Sequence, residues 1–256
     1  MIRLLRLAAA VSLVPGALWA QDPTNPRATR PERPTVATHA WTIAPAYFEL
    51  EAGVEWDRNP DASHSLVIPA LLKIGLAART QLGLLSTLTR PSGAPLGLGD
   101  LTILLKQRLA DHLPVLGAFA VIPALKLPTG SAARGSTTTD WSLLLVSSNQ
   151  VGAFSLDVNA GYTRRSGNGT RAPRNATLWT VSVGGPLAGS LGFAAEVFGL
   201  PATTGPAGAP STVAVLAGPT WAVHPWWALD LGIIIHVRGP QPDALYCGLV
   251  YNLGRL

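Results

Sequence analysis

The sequence predicts an all-β chain: a single antiparallel up-and-down transmembrane β-barrel of about twelve strands, preceded by an N-terminal signal peptide. Three observations predict it. Charged residues make up 13% of the 256 residues and hydrophobic ones 48%, whereas a soluble domain carries roughly 25% charge. The apolar residues do not gather into a run of about 18 that could span as a helix; the nearest stretch, 177–195, is interrupted by Gly184-Gly185-Pro186. Finally, apolar and polar residues alternate with period two in segments of about ten residues, the length of a tilted membrane strand.

The elements follow in chain order. Residues 1–20 have the three parts of a secretory signal: Arg3 and Arg6, the apolar stretch from Leu4 to Leu13, and a helix-breaking Pro15-Gly16 before Ala17-Leu18-Trp19-Ala20. Cleavage is expected after Ala20. It would lower the formal charge from +5 to +3. Residues 21–45 are rich in Pro, Arg and Thr, including Pro23, Pro26, Pro31, Pro34, Pro45, Arg27, Arg30 and Arg33. That composition cannot bury a core of its own. It reads first as a periplasmic tail, solvated at the barrel mouth, and second as a short plug or strap.

The barrel is assigned to 46–256. In its first strand Phe48, Leu50, Ala52, Val54 and Trp56 share one face and Glu49, Glu51 and Glu55 the other. Phe154 to Thr163 and Trp227 to Arg238 repeat the arrangement. The strands are expected at 46–56, 64–75, 80–89, 99–109, 115–127, 139–149, 153–164, 175–184, 191–199, 212–223, 227–238 and 243–253. Connections between them alternate long and short, as outer loops and periplasmic turns do; the last outer loop, 239–242, is short. Phe48, Phe154, Phe193, Trp221, Trp227 and Tyr251 then fall near one rim, and Trp56, Trp141 and Tyr162 near the other. Amphipathic rings prefer headgroup depth, so two girdles are expected.

Charge obeys the same parity. A Lys or Arg on the lipid face costs about 2–4 kcal/mol at mid-membrane, so the strand charges should point inward. The candidate lumen-facing set is Glu49, Glu51, Glu55, Lys73, Lys106, Arg108, Lys126, Asp157, Glu196, Asp230 and Arg238. These carboxylates and cations could pair with one another simply to satisfy buried charge, or they could form a substrate site. The single cysteine, Cys247, excludes an intrachain disulfide and a Cys-based metal site; it reads as a packed structural thiol. No basic helix or Lys/Arg cluster interleaved with aromatics points to nucleic acid. No cofactor is expected.

Several segments resemble the outer-membrane β-barrel family of phenol meta-pathway degradation, a family labelled as transporters. They are Phe48-Glu49-Leu50-Glu51-Ala52-Gly53, Pro69 to Leu76, Gly97-Leu98-Gly99-Asp100-Leu101-Thr102, Lys126-Leu127-Pro128-Thr129-Gly130, Asn159-Ala160-Gly161-Tyr162 and Gly248 to Leu253. The Gly-Leu-Gly-Asp and Lys-Leu-Pro-Thr-Gly motifs are the most specific. The resemblance implies outer-membrane lipid and the barrel-insertion machinery as partners, with uptake of small apolar or aromatic compounds. It supplies no catalytic residues. Such barrels commonly end in an aromatic residue, whereas here Gly254-Arg255-Leu256 follows Leu253.

Passive transport is therefore the leading expectation. A non-transporting structural or interaction barrel is the alternative, and a lipase-type barrel a more distant one. His39, His64, His112, His224 and His236 are the histidines available, but none is matched to a Ser in height and face, and no Gly-x-Ser-x-Gly elbow occurs. The chain is read as non-enzymatic. A soluble β-sandwich is the competing fold.

Overall fold

The computed structural model describes residues 25–131 and 134–255. The expected signal peptide lies outside them. The strands are β1 (Tyr47–Arg58), β2 (His64–Ala77), β3 (Thr80–Arg90), β4 (Gly97–Leu98), β5 (Leu101–Leu113), β6 (Gly117–Leu127), β7 (Asp140–Val151), β8 (Phe154–Arg165), β9 (Asn175–Ala188), β10 (Leu191–Leu200), β11 (Thr212–His224), β12 (Trp227–Arg238) and β13 (Asp243–Arg255). Twelve of them form a closed antiparallel barrel: each pairs with its sequence neighbour, β3 pairs directly with β5, and β1 closes on β13. The two-residue β4 is an extra strand against β3 at the rim. Closure leaves no unpaired sheet edge, which is what allows strands to cross hydrocarbon.

Five connections are short, 78–79, 114–116, 152–153, 189–190 and 225–226, and all lie at the end where β1 begins and β13 finishes. Gly152 and Gly189 supply the left-handed conformation (φ 61° and 57°) that two of these tight turns need. The longer connections, 59–63, 91–100, 128–139, 166–174 and 201–211, gather at the opposite end, together with the four-residue 239–242, the short outer loop expected from the sequence.

Burial runs opposite to that of a soluble protein. On β12, Leu231, Ile233, Ile235 and Val237 are exposed on the outside, whereas Asp230, Gly232 and Ile234, which alternate with them, are buried inside. Lys73, Lys106 and Glu49 are 0% exposed while Trp141 is 61% exposed. A sandwich in water would place these residues the other way round, so the competing fold is excluded. Trp56, Trp141, Tyr162 and Trp179 face outward towards the long-loop rim; Phe154 and Trp221 do so at the short-turn rim. Cys247 is exposed on the outer face, which corrects the expectation of a packed thiol: its inward neighbours on β13 are Tyr246 and Gly248.

Inside, two apolar clusters occupy different sectors. Ala214, Leu216, Ile234, Ala244 and Tyr246, with Phe198 beside them, fill the space inside β10 to β13. Ala118, Ala120, Ile122 and Val146 pack against Ala40 and Trp41, which belong to the segment before β1.

Candidate functional site

That segment is the main correction to the sequence-based expectation. Residues 25–46 are not a solvated tail at the mouth. They run as an irregular strap inside the barrel, with Ala37, Thr38, Ala40, Thr42 and Ile43 buried. The strap enters at the short-turn end, where Thr29 N donates to Pro225 O at 2.7 Å. It crosses the lumen and leaves where Ala46 N donates to Gly75 O at 2.8 Å.

A segment without helix or ladder must have its backbone donors satisfied some other way. Here the inward side chains of the barrel do so. Glu49 accepts from Arg30 N at 2.9 Å, and Glu51 from Glu32 N and Arg33 N at 2.9 and 3.1 Å. Glu196 accepts from both Val36 N and Ala37 N at 2.7 Å. Asn159 accepts from Thr38 N at 2.7 Å and returns a bond to Thr38 O at 2.9 Å. Ser148 Oγ accepts from Ala40 N at 2.8 Å, and Gln81 from Ile43 N at 3.1 Å. Five barrel side chains thus substitute for a secondary-structure partner, besides Glu49 at the entry.

The strap also completes the ion pairs. Lys73 Nζ lies 2.6 Å from Glu49 and 2.5 Å from Glu51, its neighbours on the adjacent strand. Lys106 Nζ pairs with Glu32 of the strap at 2.7 Å. Asp230 is 3.4 Å from Arg33, whose guanidinium lies over Gly53 and Gly248, directly paired across β1 and β13. A side chain at either glycine would occupy the space of the guanidinium. Arg108 pairs with Asp111 at 3.2 Å and lies 4.7 Å from the centre of the Trp41 ring. Asp157 accepts from Ser148 Oγ at 2.5 Å.

The remaining candidate charges sit elsewhere. Lys126 lies near the long-loop mouth, 2.6 Å from Asp140 and 3.3 Å from Asp100, and it also bonds Ser136. Arg165 reaches Asp140 at 3.5 Å. Glu55 is half-buried and Arg238 is exposed at the end of β12. The two most specific motifs meet at this mouth. Asp100 accepts from Gly130 N at 3.1 Å and Ser136 N at 2.9 Å, and a Cβ on Gly130 would come within 2.7 Å of the Gly99 carbonyl carbon. Burial alone would raise the Asp100 pKa, but these two N–H donors, the Ser136 hydroxyl and Lys126 together hold it below its ordinary value.

The strap divides what remains of the lumen. On the long-loop side is a chamber of about 500 Å³ walled by Leu71, Leu85, Leu104, Ile122, Leu144 and Leu178, with Glu32, Arg33, Thr35 and Thr38 of the strap as its floor. On the short-turn side a second chamber of about 830 Å³ is lined by Arg108, Asn149, Asp157, Ser182 and Thr220 among others. The apolar wall was not singled out by the sequence. The signal was present, because Pro69, Leu71 and Lys73 share one face and only the last is charged.

A family model described as "Putative MetA-pathway of phenol degradation" matches residues 37–241. The chain belongs to this family. No curated protein sequence matches it. Among solved structures the chain is similar to the COG4313 outer membrane channel from Pseudomonas putida F1, at 12% identity over 84% of this chain and 98% of that one, with a TM-score of 0.65. It is similar to the NanC porin at 10% identity, 80% and 98% coverage and a TM-score of 0.56. The KdgM porin gives 10% identity, 79% and 98% coverage and a TM-score of 0.53. At these identities the likeness is one of fold, and the fold is that of an outer-membrane β-barrel. The phenol-degradation family match begins at Ala37 and so takes in the second half of the strap.

Proposed function

We propose that the chain is an outer-membrane channel that admits small apolar or aromatic compounds passively. One observation carries the reading: the chamber on the long-loop side has walls of Leu and Ile inside a barrel whose three lysines are each paired with carboxylates. Its volume of about 500 Å³ falls within the 300–1,000 Å³ or so of small-molecule sites. An apolar wall favours a solute that gives up little hydration. The family's description and the similarity to proteins named as channel and porins support the same reading. On this reading residues 1–20 direct export, the insertion machinery places residues 46–256 in outer-membrane lipid, and the protein itself catalyses no reaction.

Flux into liposomes containing the refolded protein tests the proposal. Small neutral aromatic solutes are expected to enter faster than into protein-free liposomes, and faster than sugars of similar mass. Equal rates with and without protein would favour the non-transporting alternative. Faster sugar entry would overturn the substrate class while leaving a channel.

A further inference from the structure

The sequence contains three lysines, Lys73, Lys106 and Lys126, and they differ in where their counter-charges come from. Lys73 has two close carboxylates on the neighbouring strand, Glu49 and Glu51, which remain whatever the strap does. It also donates to Arg30 O of the strap at 2.6 Å and lies 3.8 Å from Glu32. Lys126 has Asp100 and Asp140 of the barrel and its rim. Lys106 is fully buried on the inner face of β5, and its partners among the described residues all belong to the strap. They are Glu32 Oε1 at 2.7 Å, Thr38 Oγ1 at 2.9 Å and His39 O at 2.9 Å. Glu32 is also held by Gln81 Nε2 at 3.1 Å. Glu32 forms part of the floor of the apolar chamber, and Leu104, one inner position along β5 from Lys106, forms part of the wall.

Resting on the channel reading above, we propose that the favoured substrate is a small apolar acid, that Lys106 recognises its carboxylate, and that Glu32 occupies this carboxylate's place in the resting chain. A buried ammonium cannot surrender its anion unless another replaces it. When the strap shifts to let a solute pass, a neutral molecule leaves Lys106 unpaired. A carboxylate on an apolar body pairs with Lys106 while its body rests on Leu71, Leu85, Leu104 and Ile122. Lys73 and Lys126 keep their own carboxylates throughout and exert no such selection.

The test compares entry of 4-hydroxybenzoate and 4-hydroxybenzamide at neutral pH into liposomes holding the full-length protein, each corrected for protein-free liposomes. The acid is expected to enter about tenfold faster than the amide, the factor expected from one charge-assisted hydrogen bond of about 1.4 kcal/mol. Lys106→Gln should bring the ratio near one and Lys106→Arg should retain a preference for the acid. Glu32→Gln, which removes the built-in competitor and keeps Lys106, should raise acid entry. A wild-type ratio near one, or a ratio unchanged in Lys106→Gln, overturns the proposal and leaves the channel standing. If Lys106→Gln does not insert, unchanged acid entry in Glu32→Gln overturns it instead. Entry of neither solute above the protein-free rate removes the channel reading and this inference with it.

Discussion

Replacing Lys73 by Met should destabilise the barrel severely, and the cause can be isolated. Lys73, Glu49 and Glu51 are 0%, 0% and 2% exposed, with the ammonium 2.6 and 2.5 Å from the two carboxylates. The substitution leaves two like charges, two residues apart on one inner face, with only strap N–H donors to hold them. Breaking a buried pair by removing one partner costs about 3–5 kcal/mol, because the other charge is stranded. The Arg30, Glu32 and Arg33 N–H groups remain, so the lower part of that range, about 3 kcal/mol, is expected. Neutralising the stranded charges as well, in the triple variant Glu49→Gln, Glu51→Gln and Lys73→Met, should recover most of the loss, since the amide carbonyls still accept from the strap. Arg79→Ala, which removes an exposed pair with Asp111, should cost under about 1 kcal/mol and serves as a control. Urea unfolding in lipid vesicles, followed by tryptophan fluorescence, gives all four values. The reasoning is refuted if Lys73→Met lies within about 1 kcal/mol of the wild type, or if the triple variant is no more stable than the single one.

Three other outcomes follow from the same geometry. Leu231→Arg places a charge near the middle of β12 on the face that meets lipid, where Leu231 is 57% exposed, and should cost about 2–4 kcal/mol in the same unfolding assay. Asp100 has a pKa below its ordinary 3.8, so its hold on the 128–136 segment is complete above that pH and is lost as pH falls through the lower, folded-state value. Protease cleavage in that segment should be unchanged from pH 7 to 5 and should rise only in stronger acid, whereas Asp100→Asn should make it rise at pH 7. Gly130→Ala should also increase cleavage at neutral pH, because the added Cβ would meet backbone at Gly99, and backbone cannot move aside as a flexible side chain can.

Period-two alternation made most of the barrel legible. The expected 227–238 strand coincides with β12, and the starts of β2, β3, β9, β10 and β11 are met to the residue. Errors gathered at the short-turn end, where strands continue beyond lipid depth and parity loses its energetic basis. Asp111 and His112 suggested a connection but extend β5, which runs to Leu113. Gly184-Gly185-Pro186 suggested a break, yet β9 continues to Ala188, with the irregularity absorbed by a register shift between Leu191 and Gly192 on β10. Alternation also separated inward from outward charge, but it reports a face and not what lies against that face. The strap carries no period, because its donors are satisfied one by one by Glu49, Glu51, Glu196, Asn159, Ser148 and Gln81 rather than by a ladder. One clue was available. Glu196 faces Ser182 and Leu216 across its neighbouring strands, and Asp230 faces Thr220 and Gly248. Neither acid has a cation beside it in the sheet, and buried carboxylates need a partner, so something else had to occupy the lumen.

The strap inside the lumen is tested most directly by single-channel conductance in a planar bilayer, comparing the full-length chain with a variant in which residues 25–42 are deleted. With about 500 and 830 Å³ of chamber space kept apart by the strap, the deletion should raise conductance several-fold, on the order of the gain when a plugged barrel becomes an open one. Equal conductance in the two proteins would mean that residues 25–46 do not occupy the pathway, and both the divided lumen and the role assigned to Glu32 would fall.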